Sequence, residues 1–318
     1  HHRMVEVDMM GNTIHNWDML ERGYTMHHAI SQDKQGNILA TVSKTSAKIA
    51  NGKDVRINDF IIMMDPEKGE ILQEWDLVHM LDSARYGMTD YDLTSDPFAQ
   101  SASNWAHNNG IVEWGDDYLA TARYQGIFKF NKAGGIEWII SPHGYWRDKY
   151  LKLLLNPLHA DGTPITDPEV IAGTKTCDDF EWPWGCHTAV PLPNGHILYF
   201  NNGYGRNFKL DFTDRKNIYT CGIEYEVDEV NRTVRQVWQY GKERGAAYFT
   251  PARSGVQYLE QTGNRLICPG MSNVLSNGNR GARVTEVDPE TQDVVFELEL
   301  EDAIYQRVYR MSLYPENQ

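Results

Sequence analysis

Two kinds of strand-turn-strand unit alternate along this sequence, and that alternation leaves few folds open. The first kind places a glycine turn between two β-rich runs: His28-AISQDKQ-Gly36-NILATVSK, His107-NNGIVEW-Gly115-DDYLATAR, His187-TAVPLPN-Gly195-HILYFNNG and Gly255-VQYLEQT-Gly263-NRLICPGM. The second kind crosses an Asp, Asn, Gly or Pro turn: Val5-EVDMMGNTIHNW, Phe60-IIMMDPEKGEILQEW, Ile127-FKFNKAGGIEW, Ile223-EYEVDEVNRTVRQVW and Val284-TEVDPETQDVVFEL. Four of these five end on Trp. Period-2 runs bounded by turn residues read as strands, and a recurring four-strand unit is the mark of a propeller blade. Helical periodicity is missing except near Tyr145 to Leu155.

The expected fold is therefore all-β, a β-propeller with about five blades visible, forming one domain over residues 1–318. Four blades fall between residues 28 and 300. The hairpin at 5 to 17 lacks inner strands and the segment Val308 to Pro315 lacks outer ones, so either the two complete one blade or residues before His1 supply another. The opening inside a strand-like pattern is compatible with a longer natural chain, and the lack of a leader therefore says little about location. Segments 78–104 and 141–186 are long for loops of a compact domain and are expected over the mouth of the central channel.

Composition narrows the function. A net charge of −14 without any long basic run argues against nucleic acid. No apolar run reaches the roughly 20 residues of a membrane span. An anionic substrate would be repelled at long range, so an anion site has to be a local cationic cluster. Four cysteines, Cys177, Cys186, Cys221 and Cys268, show no CxxC or zinc-ligand spacing and are too few for a disulfide scaffold. Cys177 and Cys186 bracket a loop leading into His187 that a bridge would restrain, and a bridge and two free thiols both stay open.

Blade repetition brings equivalent positions to one axis. His28, His107 and His187 each stand eight residues before their turn glycine, about eighty residues apart, and are expected to share a site. Strand alternation adds Asn109 on the face of His107. Eight residues after the glycines come Lys44 and Arg123, with Arg123 in the blade of His107; a guanidinium suits a sulfate or carboxylate, and Lys44 at the matching position would add charge. No acidic residue shares the repeat position, and no GxSxG, P-loop or dinucleotide fingerprint is present. The residues leave three readings: anion-group transfer, a metal-dependent histidine-cluster lyase or oxygenase, and a non-catalytic binding propeller.

At these residues the sequence resembles the bacterial aryl-sulfate sulfotransferases that need no nucleotide donor. The resemblance rests on Tyr24-TMHHAISQDKQGNILA, Asn104-WAHNNGIVEWGDDYLATARYQGIFKF, Tyr150-LKLLLNPLHADGTPI, Trp184-GCHTAVPLPNGHILYFNNGYGR and Tyr248-FTPARSGVQYL. It implies a six-bladed propeller preceded by a small β domain outside this sequence, and a periplasmic or secreted enzyme without cofactor or metal. Its partners would be a phenolic sulfate donor, a phenol acceptor and, as a homodimer, a second copy of the chain.

By the same resemblance His187 is the nucleophile, with His28, His107, Asn109 and Arg123 binding sulfate and moving protons. Attack by His187 would leave a sulfohistidine, with His28 or His107 protonating the departing oxygen. Tyr124 and Trp105 are candidates to stack on aryl rings. Around Thr250-PARS the family's small hydroxyl contact has three candidates, Thr250, Arg253 and Ser254. The family's cysteine pair is more closely spaced than Cys177 and Cys186, so the resemblance supports that bridge only loosely.

Overall fold

The computed structural model describes residues 2–302 apart from 52–53, 90, 100–103, 212, 214 and 272, with only the backbone at 45–58, 87–88 and 215. The expected closing segment Val308 to Pro315 lies outside the described residues.

Strands dominate, and helices are single turns. A hairpin of β1 (Arg3–Val7) and β2 (Thr13–Asp18) comes first. Three sheets with consecutive antiparallel strands follow. The first holds β3 (Thr25–Gln32), β4 (Ile38–Asn51), β5 (Asp54–Met64) and β6 (Ile71–Asp76). The second holds β7 (Asn108–Trp114), β8 (Asp117–Ala122), β9 (Gly126–Phe130) and β10 (Ile136–Ile140). In the third, a short β11 (Asn156–Leu158) adds in parallel to the edge of a meander made of β12 (His187–Pro191), β13 (Ile197–Asn201), β14 (Cys221–Asp228) and β15 (Thr233–Tyr240).

The last sheet orders β16 (Ser254–Tyr258), β17 (Arg265–Pro269), β19 (Arg280–Val287) and β20 (Val294–Glu301), with β18 (Asn273–Val274) paired to β19. The alternating hairpins of the sequence are these meanders, so the mostly-β expectation holds. The helix expected near Tyr145 to Leu155 is the single turn α2 (Asp148–Leu151), between α1 (Leu77–Met80) and α3 (Pro168–Ala172). The last is announced by Asp167 capping its N-terminus, Pro168 in its first turn and Gly173 in the left-handed conformation after it.

Burial explains the strand composition. Strands β13 and β17 are buried along their whole length, whereas β20 is largely exposed. Continuous apolar runs such as Ile197-LYF therefore belong to strands covered on both faces. First strands adjoin in series: β3 packs on β7, β7 on β12 and β12 on β16. Ser31 Oγ, on β3, donates to the Ile111 carbonyl of β7 at 2.7 Å.

The recurrent tryptophans act between sheets. Trp75 Nε1, on β6, donates to the Lys132 carbonyl in the turn after β9 at 3.0 Å, and Trp138 Nε1, on β10, donates to Glu229 in the turn after β14 at 2.8 Å. Each indole fills apolar space and satisfies its one donor on the neighbouring sheet. The opening hairpin is docked by Met4 and Trp17 against Val42, Phe60 and Ile62. Gly69, in the left-handed region at φ +66°, lies where any Cβ would fall 2.3 Å from the Trp17 ring, so the close approach requires glycine.

Candidate active site

The first strands bring their heads together, and the backbone there is distorted. His28 (φ 51°), His107 (φ 54°), Thr188 (φ 48°) and Arg253 (φ 59°) all occupy the left-handed region. They lie within or just before β3, β7, β12 and β16. Register shifts interrupt the ladders between Met26 and Ile30, Asn108 and Gly110, and His187 and Ala189. A bulge re-aims the side chains around it. Non-glycine residues held in this region cost of order 1–3 kcal/mol each and gather where function over-determines them.

The three imidazoles meet. Ring centroids lie 4.7 Å apart for His28 and His107 and 6.4 Å for His28 and His187. Hydrogen-bond partners assign the tautomers. Asn104 Nδ2 reaches the Ala99 carbonyl at 3.2 Å, which orients its amide, and donates to His107 Nδ1 at 2.9 Å. His107 therefore carries its proton on Nε2 and donates it to His28 Nε2 at 3.1 Å. His28 in turn donates from Nδ1 to His27 Nδ1 at 3.0 Å. His27 Nε2 then lies 3.6 Å from the carboxylate of Asp59, itself anchored by the Asn108 amide and Ser43 hydroxyl.

His187 is set by other partners. Its Nδ1 faces two carbonyl oxygens, that of the Asn202 side chain at 2.6 Å and that of Gly185 at 3.2 Å. Asn202 cannot be flipped, because its Nδ2 donates to the Thr250 carbonyl at 2.9 Å. Nδ1 of His187 is thus the protonated nitrogen, and the lone pair is on Nε2. Burial, followed by the repulsion a protonated ring would feel from neighbouring basic groups, holds His28 and His107 well below the usual histidine range. For His28 those groups are His27, His187, Arg123 and Arg253; for His107 they are His28, Arg123, His187 and His27. Part of the His28 ring is open to solvent although protein closes around it.

Arg123 supplies permanent charge. The strand β8 ends at Ala122, and the Arg123 amide bonds to the His107 carbonyl at 3.0 Å, which turns the side chain toward the rings. Its NH2 donates to the Pro251 carbonyl at 2.8 Å, and its guanidinium lies over Tyr204 and Phe98, at 4.6 and 4.9 Å. Nε is buried without a partner, and no carboxylate pairs with it among the described residues. A buried cation with an unspent donor is poised for an anion. Behind it Asp96 accepts the hydroxyls of Tyr91, Tyr124 and Tyr204 at 2.6, 2.8 and 3.2 Å, which brings segment 78–104 against the site.

The other expected residues surround these rings in different ways. Asn109 spends its amide on the Cys186 carbonyl at 2.8 Å and on Thr121 Oγ1 at 2.6 Å, so it fixes the residue before His187. Thr250 is fully buried, with its hydroxyl shared between the Ala252 carbonyl and the Met271 amide. Arg253 is exposed at the rim, where its charge is felt by His28. Trp105 is core and Tyr124 is buried, its ring edge-on to His107 at 5.8 Å.

The other cation expected at the site, Lys44, is spent on a carboxylate. It pairs with Glu74 at 2.5 Å and lies over Tyr24 and Phe60. Strand β4 runs on through Lys44 to Asn51, whereas β8 stops just before Arg123, so the matching count from the glycine reaches a different place.

The bridge from Cys177 to Cys186 is not formed, and both are free thiols. Cys186 is buried with its sulfur toward the Ala122 carbonyl, and Cys177 donates to Asp179 Oδ1 at 3.1 Å. Asn201 pins the chain between them through the Trp182 carbonyl and the Trp184 amide, which holds the two thiols in separate surroundings. His27, Asn104 and Asn202 escaped the sequence reading. His27 adjoins a repeat-marked histidine and Asn202 opens the NG of the family-like segment, which were the available signals.

A multi-sheet β protein whose first strands enclose neutral imidazoles beside an unpaired buried guanidinium has the makings of a site for an oxyanion and a nitrogen nucleophile. The family described as Arylsulfotransferase (ASST) matches residues 1–310, and this chain belongs to it. Arylsulfate sulfotransferase AssT of Escherichia coli O6:H1 is 29% identical over 339 residues, covering 97% of this chain and 56% of that protein. Its counterpart in Lelliottia amnigena is 30% identical over 340 residues, with the same shares. The chain thus spans a little over half the length of these curated relatives. A solved structure of a putative 6-phosphogluconolactonase from Bacteroides uniformis aligns with 91% of this chain and 77% of its own at 12% identity, with a TM-score of 0.36; a likeness so low bears on neither fold nor function.

Proposed function

We propose that this chain carries the catalytic centre of an aryl-sulfate sulfotransferase, which moves a sulfuryl group from a phenolic sulfate ester to a phenol through a sulfated His187. The observation that supports it most is that His187, whose lone pair is on Nε2, and the Arg123 guanidinium, which no carboxylate pairs among the described residues, both reach the Gly185 carbonyl, at 3.2 and 3.5 Å. Family membership supports the donor class.

In the first half-reaction His187 Nε2 attacks sulfur, an N–S bond forms, and the S–O bond breaks with its electron pair going to the phenolate oxygen. Charge on the equatorial oxygens falls to the Arg123 donors, as in a loose phosphoryl transition state. The ester's negative charge offsets the Arg123 charge beside His28 and His107 and raises their proton affinity, so one of the pair takes a proton from solvent as the donor binds and passes it to the departing phenolate. A second phenol then returns that proton to the pair and accepts the sulfuryl group.

The adjoining first strands support a propeller arrangement of one catalytic domain, and the family resemblance carries the expectation of a periplasmic or secreted setting. A metal-holding reading would need ring nitrogens to converge on one point, whereas His28 and His107 turn theirs on each other. The test is intact-mass and peptide analysis after mixing with a chromogenic aryl sulfate. A sulfuryl adduct on the His187 peptide is expected, absent in His187→Asn; turnover by His187→Asn at the parent rate would end this reading.

A further inference from the structure

A second cluster of chemically active side chains lies in the loops around β11 and ahead of β12. His159 follows β11 and is held in a tight turn, its amide bonded to the Thr163 carbonyl at 2.8 Å and its carbonyl to the Gly162 amide at 2.9 Å. Asp179, from the segment before β12, accepts the Ala160 amide at 3.0 Å and faces His159 Nδ1 at 3.0 Å. The Cys177 thiol donates to the same carboxylate at 3.1 Å. One nitrogen, one sulfur and one oxygen from two separate loops thus lie within 4.8 Å of one another, all partly open to solvent.

That donor set selects its ligand. A thiolate disfavours magnesium and calcium, and a mixed N, S, O set suits a borderline divalent ion such as zinc or cobalt. Three protein donors with an open side match a tetrahedral ion whose fourth position is water. Thiolate and carboxylate together would neutralise the ion. The nearby ammonium of Lys175 is already paired with Asp167 at 2.7 Å. Cys177 is also the one cysteine of the four that is not buried.

We infer that His159, Cys177 and Asp179 form a site for a zinc-like divalent transition ion that clips the loop after β11 to the segment leading into His187. The ion would do by coordination what a bridge from Cys177 does not do here, since closing a long loop removes conformational freedom from the unfolded chain. The inference is independent of the sulfuryl-transfer reading.

The test uses cobalt(II) as a spectroscopic probe and zinc(II) as competitor on the whole chain. One equivalent of cobalt is expected to give a near-ultraviolet thiolate-to-metal charge-transfer band that zinc abolishes, together with a higher melting temperature in zinc. Cys177→Ser should lose the band and the shift, and His159→Ala should weaken binding by more than the roughly 10- to 100-fold that an outer-shell partner is worth. His187→Asn should leave both unchanged, which separates this site from the imidazole cluster. Circular dichroism confirms that each variant is folded. No thiolate band, or one that survives in folded Cys177→Ser, overturns the inference.

Discussion

Asn202→Leu isolates what fixes the nucleophile. In the parent, Asn202 Oδ1 accepts from His187 Nδ1 at 2.6 Å in a fully buried setting. When Nε2 is sulfated the ring turns cationic, and this becomes a hydrogen bond to a charged donor, worth about 1.5–3 kcal/mol. At about 1.36 kcal/mol per factor of ten, its loss should slow adduct formation roughly 10- to 150-fold. Leucine has a similar volume, and the Gly185 carbonyl still favours the same tautomer, so donor binding should change little. The assay is rapid-quench release of phenol from a chromogenic ester, with kcat and KM separated and the melting temperature recorded. Asn202→Asp keeps an acceptor at Nδ1 and should retain more of the rate. A folded Asn202→Leu protein forming adduct within twofold of the parent would refute the argument that this amide sets the nucleophile.

Arg123→Leu should slow adduct formation by about 10²- to 10³-fold without abolishing it, the usual cost of one donor to a developing oxyanion; rapid quench on the His187 peptide checks this. Lys44→Gln should leave transfer unchanged in steady-state assays, because the ammonium is committed to Glu74. Donor binding should take up protons, seen as a calorimetric heat that depends on the buffer's ionisation enthalpy. Stability has a defined pH sense. His28 and His107 bind protons less readily folded than at the ordinary 6.5, so below about pH 6.5 the unfolded chain holds more protons. The melting temperature should be insensitive to this pair above that pH and fall as the pH drops through it, less steeply in His28→Asn.

The meanders were legible because each strand pair carries its own turn chemistry and its own apolar alternation. The shared site was legible because a repeat converts sequence interval into position, which singled out His28, His107 and His187. The same count set Lys44 level with Arg123, although a count along the sequence cannot see that β4 continues where β8 ends. His27, Asn104 and Asn202 were missed because they break the repeat: each meets its histidine through a bulge or a loop, and only coordinates reveal such meetings. The choice between a bridge and two thiols stayed open for a related reason. The loop between them is pinned by Asn201, a residue beyond His187 with no local mark of that role.

The left-handed backbone at His28, His107 and Arg253 also bears on descent. At such positions glycine is the residue the chain itself would prefer, by roughly 1–2 kcal/mol over an ordinary side chain. Only the need for a particular side chain in the recess opposes that preference. A relative on these sheets that had given up the chemistry would be free to drift to glycine, asparagine or aspartate at the places of His28 and His107. On the proposed mechanism, the identity of the residue at those two positions would then distinguish working members from those that keep the scaffold alone.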